Sequence, residues 1–305
     1  MKEKMRIAVM YDSRICGRDD GPPLFYLTTL RELGHNVDMV IPTGDLTMHG
    51  KYDLNLHVDW GEDGLLPAIP YTLLDAPHPN VYICSDTHIG YDYRLKTAKK
   101  FDLVLCNQLR GVQEFEKQGI QNVFWHPNAF HPLAYNQGVM DPQTGWKTCA
   151  VLKRHDVCFI GHANTMGRIE FLDTMFKAFP NFFYGQKLFD QAATVFNESK
   201  IVLNQAWSDD INMRVFESMG SGSLLLTPRV PTVEMLFTDG VHCVMYDSTK
   251  DAIEKAHFYL AHDEEREKIA KAGYDLVHEK HTYAVRAKRM IELFESVVSH
   301  KEAVA

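Results

Sequence analysis

The chain has no D-x-D anywhere in its 305 residues, no G-x-G-x-x-G after its first apolar run, and no C-x-x-C pair. Each absence argues against a class of chemistry. Without D-x-D there is no close carboxylate pair to hold a diphosphate through a divalent ion, and no metal is expected. Without the glycine fingerprint a dehydrogenase is disfavoured. The six cysteines, at 16, 84, 106, 149, 158 and 243, mostly sit in apolar runs such as Val81 to Ser85 and Asp102 to Cys106, and with the histidines they never reach zinc-ligand spacing. They read as reduced core residues rather than as a disulfide framework. No hydrophobic run approaches membrane-spanning length, and Met1 to Arg6 passes directly into a strand without a signal-peptide apolar core. A cytoplasmic protein with no membrane insertion is expected.

Basic residues are also in the minority, 32 against 40 acidic ones, for a formal charge of −8. Phosphate contacts need a basic face, so binding nucleic acid through bulk electrostatics is disfavoured. The local run Arg94, Lys96, Lys99 and Lys100 reads as a solvated helix face. What remains, 45% hydrophobic and 24% charged, has the composition of a soluble globular protein long enough for two domains, each with its own core.

Apolar strand-like runs alternate with helical patterns along the N-terminal half, at Met5 to Tyr11, Val37 to Ile41, Asp53 to Val58, Val81 to Ser85, Leu103 to Cys106 and Val123 to His126. A second series runs through Val157 to Ile160, Phe182 to Tyr184, Ile201 to Asn204, Leu224 to Thr227 and Cys243 to Tyr246. Strands interleaved with helices indicate parallel sheets covered on both faces. Between the two series, from about His131 to Arg154, periodicity is lost and Pro132, Gly138, Pro142 and Gly145 gather. The expected organisation is a Rossmann-like domain over 1–130, a connection over 131–155, a second Rossmann-like domain over 156–281, and a terminal helix over 282–305.

Residues 211 to 237 carry the most chemistry. They predict a helix that buries Val215, Phe216 and Met219, stops at Gly220 and Gly222, and feeds the strand Leu224 to Thr227. Arg214 and Glu217 stand three apart on that helix, share a face, and lie off its apolar stripe. Open α/β sheets bind ligands beyond their strand ends. A carboxylate there can accept both ribose hydroxyl protons, and a guanidinium can neutralise a diphosphate.

The run Arg-Val-Phe-Glu-Ser-Met-Gly-Ser-Gly-Ser-Leu-Leu-Leu-Thr from Arg214, with Glu-Met-Leu-Phe from Glu234, Tyr-Leu-Ala-His-Asp-Glu-Glu-Arg from Tyr259 and His-Thr-Tyr-Ala-Val-Arg from His281, resembles the C-terminal domain of CgeB-like, spore-maturation-type GT-B glycosyltransferases. The likeness extends from about Asp156 to Glu295 and keeps its order and spacing. It implies an α/β GT-B fold, two Rossmann-like domains facing a central cleft, with a nucleotide-sugar donor held mainly by the second. The first would be the acceptor side, and the terminal helix would cross back to it.

The resemblance also implies roles. Asp209 precedes Glu217 by eight residues, giving D-x7-E where many retaining relatives carry E-x7-E, whose first carboxylate contacts the sugar and second the ribose. For Asp209 the rival role is a helix N-cap. A similar strand, glycine and arginine in the family imply that Gly161 and Arg168 contact the diphosphate; the rival for Arg168 is a surface pair with Glu170 or Asp173. His162 is a donor contact or a plain loop histidine. Relatives place backbone amides of the loop holding Thr232 and Val233 against the donor, and Glu234 opens the next turn as a contact or a cap. On the acceptor side, Asp86 and His88 in Ser85-Asp86-Thr87-His88 can orient an acceptor hydroxyl or act as general base, with a helix cap the simpler role for Asp86. Gly21, between the first strand and first helix, lies where relatives approach the phosphates or acceptor.

Together these features predict a metal-independent hexosyltransferase without a cofactor, using a nucleoside-diphosphate sugar, a UDP-sugar before others; the resemblance implies retention of configuration, with inversion through Asp86 or His88 left open. The acceptor is open among protein, glycan, small molecule and the hydroxymethylated base of phage-type DNA. The rival class is a non-catalytic GT-B module that binds a nucleotide sugar.

Overall fold

The structure, a computed structural model, describes residues 4–10, 21–40, 52–59, 79–132, 152–163, 165–187, 189–206 and 210–304. Its strands form two parallel sheets, one of six strands and one of five, and the chain divides into two units: Met1–Pro127 with Tyr283–Ala305, and Asn128–Thr282. Most of the stretch expected to connect the domains, residues 133–151, lies outside the described residues.

In the first unit β1 (Arg6–Met10), β2 (Asn36–Val40), β3 (Leu54–Val58), β4 (Asn80–Cys84), β5 (Leu103–Cys106) and β6 (Val123–Trp125) lie in the order β2-β1-β3-β4-β5-β6. The strand order reverses at β1, which pairs with β2 on one side and β3 on the other. The central strands β3, β4 and β5 are buried along their whole length, as parallel strands covered by crossover helices must be. Helices α1 (Pro22–Glu32), α2 (Tyr91–Ala98) and α3 (Leu109–Lys117) follow β1, β4 and β5. Two prolines open α1, where their missing N–H groups cost nothing. The last helix, Tyr283–Val304, packs on α1: Tyr283 meets Tyr26 edge-on at 5.1 to 5.2 Å from the rings of Phe25 and Tyr26, and Arg286 Nε donates to the Pro127 carbonyl at 2.6 Å.

In the second unit β7 (His155–Ile160), β8 (Phe182–Gly185), β9 (Ser199–Leu203), β10 (Leu224–Pro228) and β11 (Val244–Tyr246) lie in the order β11-β10-β9-β7-β8. Here the order reverses at β7, between β8 and β9. Helices α4 (Met166–Ala178), α5 (Phe189–Asn197), α6 (Met213–Gly220), α7 (Pro231–Glu234), α8 (Thr249–Ala261) and α9 (Asp263–Lys280) complete it. Val157, Phe159, Met175, Ile201, Leu203 and Leu224 form its core with the inner faces of α4 and α8. Each such side chain contributes about 1.5 to 3 kcal/mol on burial.

The end of α6 shows how local sequence sets the sheet. Gly222 has φ +69°, its N–H bonds to the Met219 carbonyl at 2.8 Å, and the Ser223 N–H reaches back to Ser218 at 3.3 Å. That is a Schellman closure, which needs the left-handed residue glycine supplies. The chain turns at once into β10.

Candidate functional site

At the carboxyl ends of β7 and β9, where strand order reverses, the second unit gathers two arginines. Arg214, in the first turn of α6, donates from Nε to the Ile160 carbonyl at 2.6 Å and from Nη1 to Asn204 Oδ1 at 2.8 Å, with its guanidinium carbon 4.2 Å from the centre of the Phe159 ring. Asn204 is a junction: its Oδ1 also accepts from Asn212 Nδ2 at 3.0 Å, its Nδ2 donates to Thr227 Oγ1 at 3.0 Å, and its carbonyl accepts from the Tyr246 hydroxyl at 2.8 Å. Arg168, in the first turn of α4, donates from Nη1 to the His162 carbonyl at 2.9 Å and from Nη2 to the Gln205 carbonyl at 3.1 Å.

Gly161 makes this arrangement sterically feasible. It ends β7 at φ +150°, and a Cβ there would collide with Arg214 Nη2. Any side chain at 161 would therefore push the guanidinium off its carbonyl anchor.

Electrostatically the pair is strained. Burial first, and then the charge of Arg168, pull Arg214 down to about 10, with Glu217 acting in the opposite direction. Burial also lowers Arg168. Arg214 donates to a carbonyl and an amide, so its charge is offset mainly at a distance. An anion placed between two such guanidiniums would relieve both penalties.

Glu217, off the apolar stripe with Arg214, is only 8% exposed, because α6 is buried on every side from Val215 to Gly220. Thr232 and Val233 are buried in α7, just beyond β10, the strand next to β9. Glu234 is exposed and bonds to Arg229 at 3.0 Å, within a group in which Arg229 also meets Asp239 at 2.5 Å and Asp247 at 3.0 Å. His162 is exposed and enters the site through its carbonyl. Asp209 lies outside the described residues, and the N-cap of α6 is Asn212.

The first unit gathers a different set at the ends of β3 and β4. Asp59, fully buried, takes a hydrogen bond from Arg94 Nε at 2.9 Å and another from the Tyr82 hydroxyl at 2.8 Å, both on Oδ2. Its other oxygen, Oδ1, is buried with no hydrogen-bond partner among the described residues. Burial pushes Asp59 up to about 6 even though Arg94 acts to lower it. Asp86 follows β4 with φ +47°, a left-handed conformation that costs about 1 kcal/mol, and its carbonyl accepts from the Ile89 N–H at 2.8 Å. Burial raises its carboxyl, while His88 and Arg94 act to lower it. Gly90, not Asp86, is the N-cap of α2. Gly21 is buried and occupies the N-cap position of α1.

Arg94 corrects the expectation of a basic surface run. It is 1% exposed and ion-paired inside the unit, leaving only Lys96, Lys99 and Lys100 on the surface. Asp173, offered as a partner for Arg168, bonds to Lys177 at 2.6 Å. Sequence reasoning overlooked Asn204, Tyr246, Asp59 and Gln108. Asn204 and Tyr246 carried one usable signal, a polar group at the last position of an apolar run.

Among the described residues no three His, Cys, Asp or Glu side chains gather to hold a metal ion, and no helix is long and apolar enough to cross a membrane. The four described cysteines, 84, 106, 158 and 243, are buried and free.

Residues 162–292 match a family model described as glycosyl transferase-like, within the span that carries the sequence resemblance. A comparison with curated protein sequences gives no significant match. Among solved structures, Anabaena HepE in complex with UDP and glucose is similar with a TM-score of 0.65 at 13% identity, covering 96% of this chain and 100% of that one. An α-glucosyltransferase in complex with UDP-glucose and DNA containing an abasic site is similar with a TM-score of 0.68 at 9% identity, again covering 96% and 100%. Sucrose-phosphate synthase from Thermosynechococcus elongatus gives 0.64 at 10% identity, covering 97% and 100%. The fold is that of the GT-B glycosyltransferases.

Proposed function

We propose that the chain is a cytoplasmic glycosyltransferase of the CgeB-like branch, which moves a sugar from a nucleoside diphosphate to an acceptor hydroxyl with retention of configuration and without a metal ion. The observation that carries this reading is the Arg168 and Arg214 pair at the reversal of strand order beside Gly161. Two guanidiniums, each destabilised by burial, suit a diphosphate whose negative charge grows as it leaves the sugar. Glu217 accepts from the ribose hydroxyls, Asp209 holds the sugar, and the backbone around Thr232 and Val233 faces the donor phosphate. In the first unit Asp86 and His88 address the acceptor side.

Uridine is the proposed base, in keeping with the UDP and UDP-glucose that accompany the similar structures. The net charge of −8 weighs against DNA as acceptor and favours a glycan, protein or small-molecule hydroxyl.

The test is to incubate the protein with UDP-glucose, UDP-N-acetylglucosamine, UDP-galactose and GDP-mannose and to follow slow hydrolysis to the nucleoside diphosphate. One donor should be turned over. The matching diphosphate should stabilise the fold by about 2.7 kcal/mol at a hundredfold excess over its dissociation constant. A nucleotide-induced thermal shift without hydrolysis would leave a non-catalytic binding module. The absence of both would overturn the donor site.

A further inference from the structure

The loop after β4 contains a hydrogen-bond relay that decides which nitrogen of His88 carries the proton. The backbone N–H of Thr87 can only donate, and it meets Gln108 Oε1 at 2.6 Å; the Thr87 hydroxyl meets the same oxygen at 2.6 Å. The amide oxygen of Gln108 is thereby committed to Thr87. Its amide nitrogen lies 3.2 Å from His88 Nδ1. An NH2 group donates and has nothing to accept with, so Nδ1 must accept, and the proton of the neutral ring resides on Nε2.

The relay is built into packed structure. Gly111, in α3, lies against Thr87 so closely that a Cβ there would stand 2.5 Å from Thr87 Cγ2. Beside it, Asn107 Nδ2 donates to Ser85 Oγ at 3.1 Å, and Trp125 Nε1 donates to the Asn107 carbonyl at 3.1 Å. The charged groups acting on this loop are Asp86 within it, Arg94 from α2 and Asp59 at the end of β3. On α3, Arg110 bonds to Glu114 at 2.7 Å.

We propose that Thr87 and Gln108 hold the exposed His88 in its Nε2–H tautomer, so that His88 donates a hydrogen bond to a sugar-nucleotide or acceptor oxygen and is not the general base; Gln108 is its positioning residue. The tautomer stands on geometry alone, and only the identity of the oxygen rests on the glycosyltransferase reading. A general base at Nε2 would need an acceptor facing Nδ1, the reverse of what Gln108 presents.

The test has a spectroscopic arm and a kinetic arm. In protein labelled with 15N-histidine, the His88 signals, assigned by their loss in His88→Gln, should show a pyridine-type Nδ1 and a pyrrole-type Nε2 at neutral pH. Gln108→Glu supplies a carboxylate that accepts from both Thr87 and Nδ1–H, and should exchange the two signals. Its sugar-nucleotide turnover should fall roughly tenfold, the scale of one lost hydrogen bond. A raised KM would assign the oxygen to the sugar nucleotide, and a lowered kcat at constant KM would assign it to the acceptor. A pyrrole-type Nδ1 in the unaltered protein would overturn the proposal. So would undiminished or faster turnover by Gln108→Glu at neutral pH, as expected of a base. If the unaltered protein turns over no sugar nucleotide, the transferase reading and the substrate half of the proposal fall together, and the ring spectrum alone decides the tautomer.

Discussion

At the ends of β7 and β9 two arginines act on each other and are held by carbonyls and an amide, whereas at the ends of β3 and β4 two carboxylates, Asp59 and Asp86, act on one buried arginine. Both places lie at the carboxyl edge of a parallel sheet, where polar side chains and helix N-termini converge. The difference lies in how charge is balanced. Arg94 and Asp59 neutralise each other inside the first unit, so their removal should register as lost stability. Arg168 and Arg214 instead stand together with hydrogen bonds to carbonyls and an amide, so changes to them should register in ligand affinity.

The largest expected effect tests the balanced side. Arg94→Met leaves Asp59 buried without its cation and should lower unfolding free energy by about 3 to 5 kcal/mol in urea titrations. Arg214→Met, which removes a repulsion, should cost much less. Equal losses in the two variants would erase the distinction.

Next comes a pH effect. Between the unfolded value near 4 and the folded value of about 6, the folded state keeps a proton on Asp59 that the unfolded state has released. Stability contributed by this group is therefore present below pH 4 and lost as pH rises to 6, by about 3 kcal/mol. Asp59→Asn should remove that decline from the stability-against-pH curve; an unchanged slope would show that Asp59 titrates normally.

On the other side, Glu217→Gln keeps shape and loses a charged acceptor, which should weaken UDP binding by about 1.5 to 3 kcal/mol with little change in melting temperature. Calorimetric titration of both proteins with UDP decides it, and wild-type affinity would end the ribose assignment. The smallest effect is expected for Arg214→Lys, which keeps the charge but loses the fork, and should slow turnover roughly tenfold. Initial rates of both proteins should survive EDTA. Rates abolished by chelation and restored by magnesium or manganese would replace the arginine pair with a metal.

The strands of both sheets were legible because central parallel strands are short continuous apolar runs. The helix of Arg214 and its glycine stop were legible for the same local reasons. What could not be read were relations across the sheet. Arg214 meets the Ile160 carbonyl only because β9 lies beside β7, a pairing between segments more than forty residues apart. Arg94 looked like one of four surface cations because its partner, Asp59, is 35 residues away. Helical periodicity gives one buried face, whereas α6 is enclosed on all sides from Val215 to Gly220, Glu217 included.

Finally, the guanidinium of Arg214 is already at rest. A carbonyl, an amide and the face of Phe159 fix its fork while the chain folds. Ordering a long, rotamer-rich side chain at the moment of association costs about 0.5 to 1.5 kcal/mol. Here that loss of freedom is absorbed by folding, leaving an incoming anion to meet a stationary donor array. Its capture should show a smaller entropic penalty than an arginine swinging in from solvent would impose.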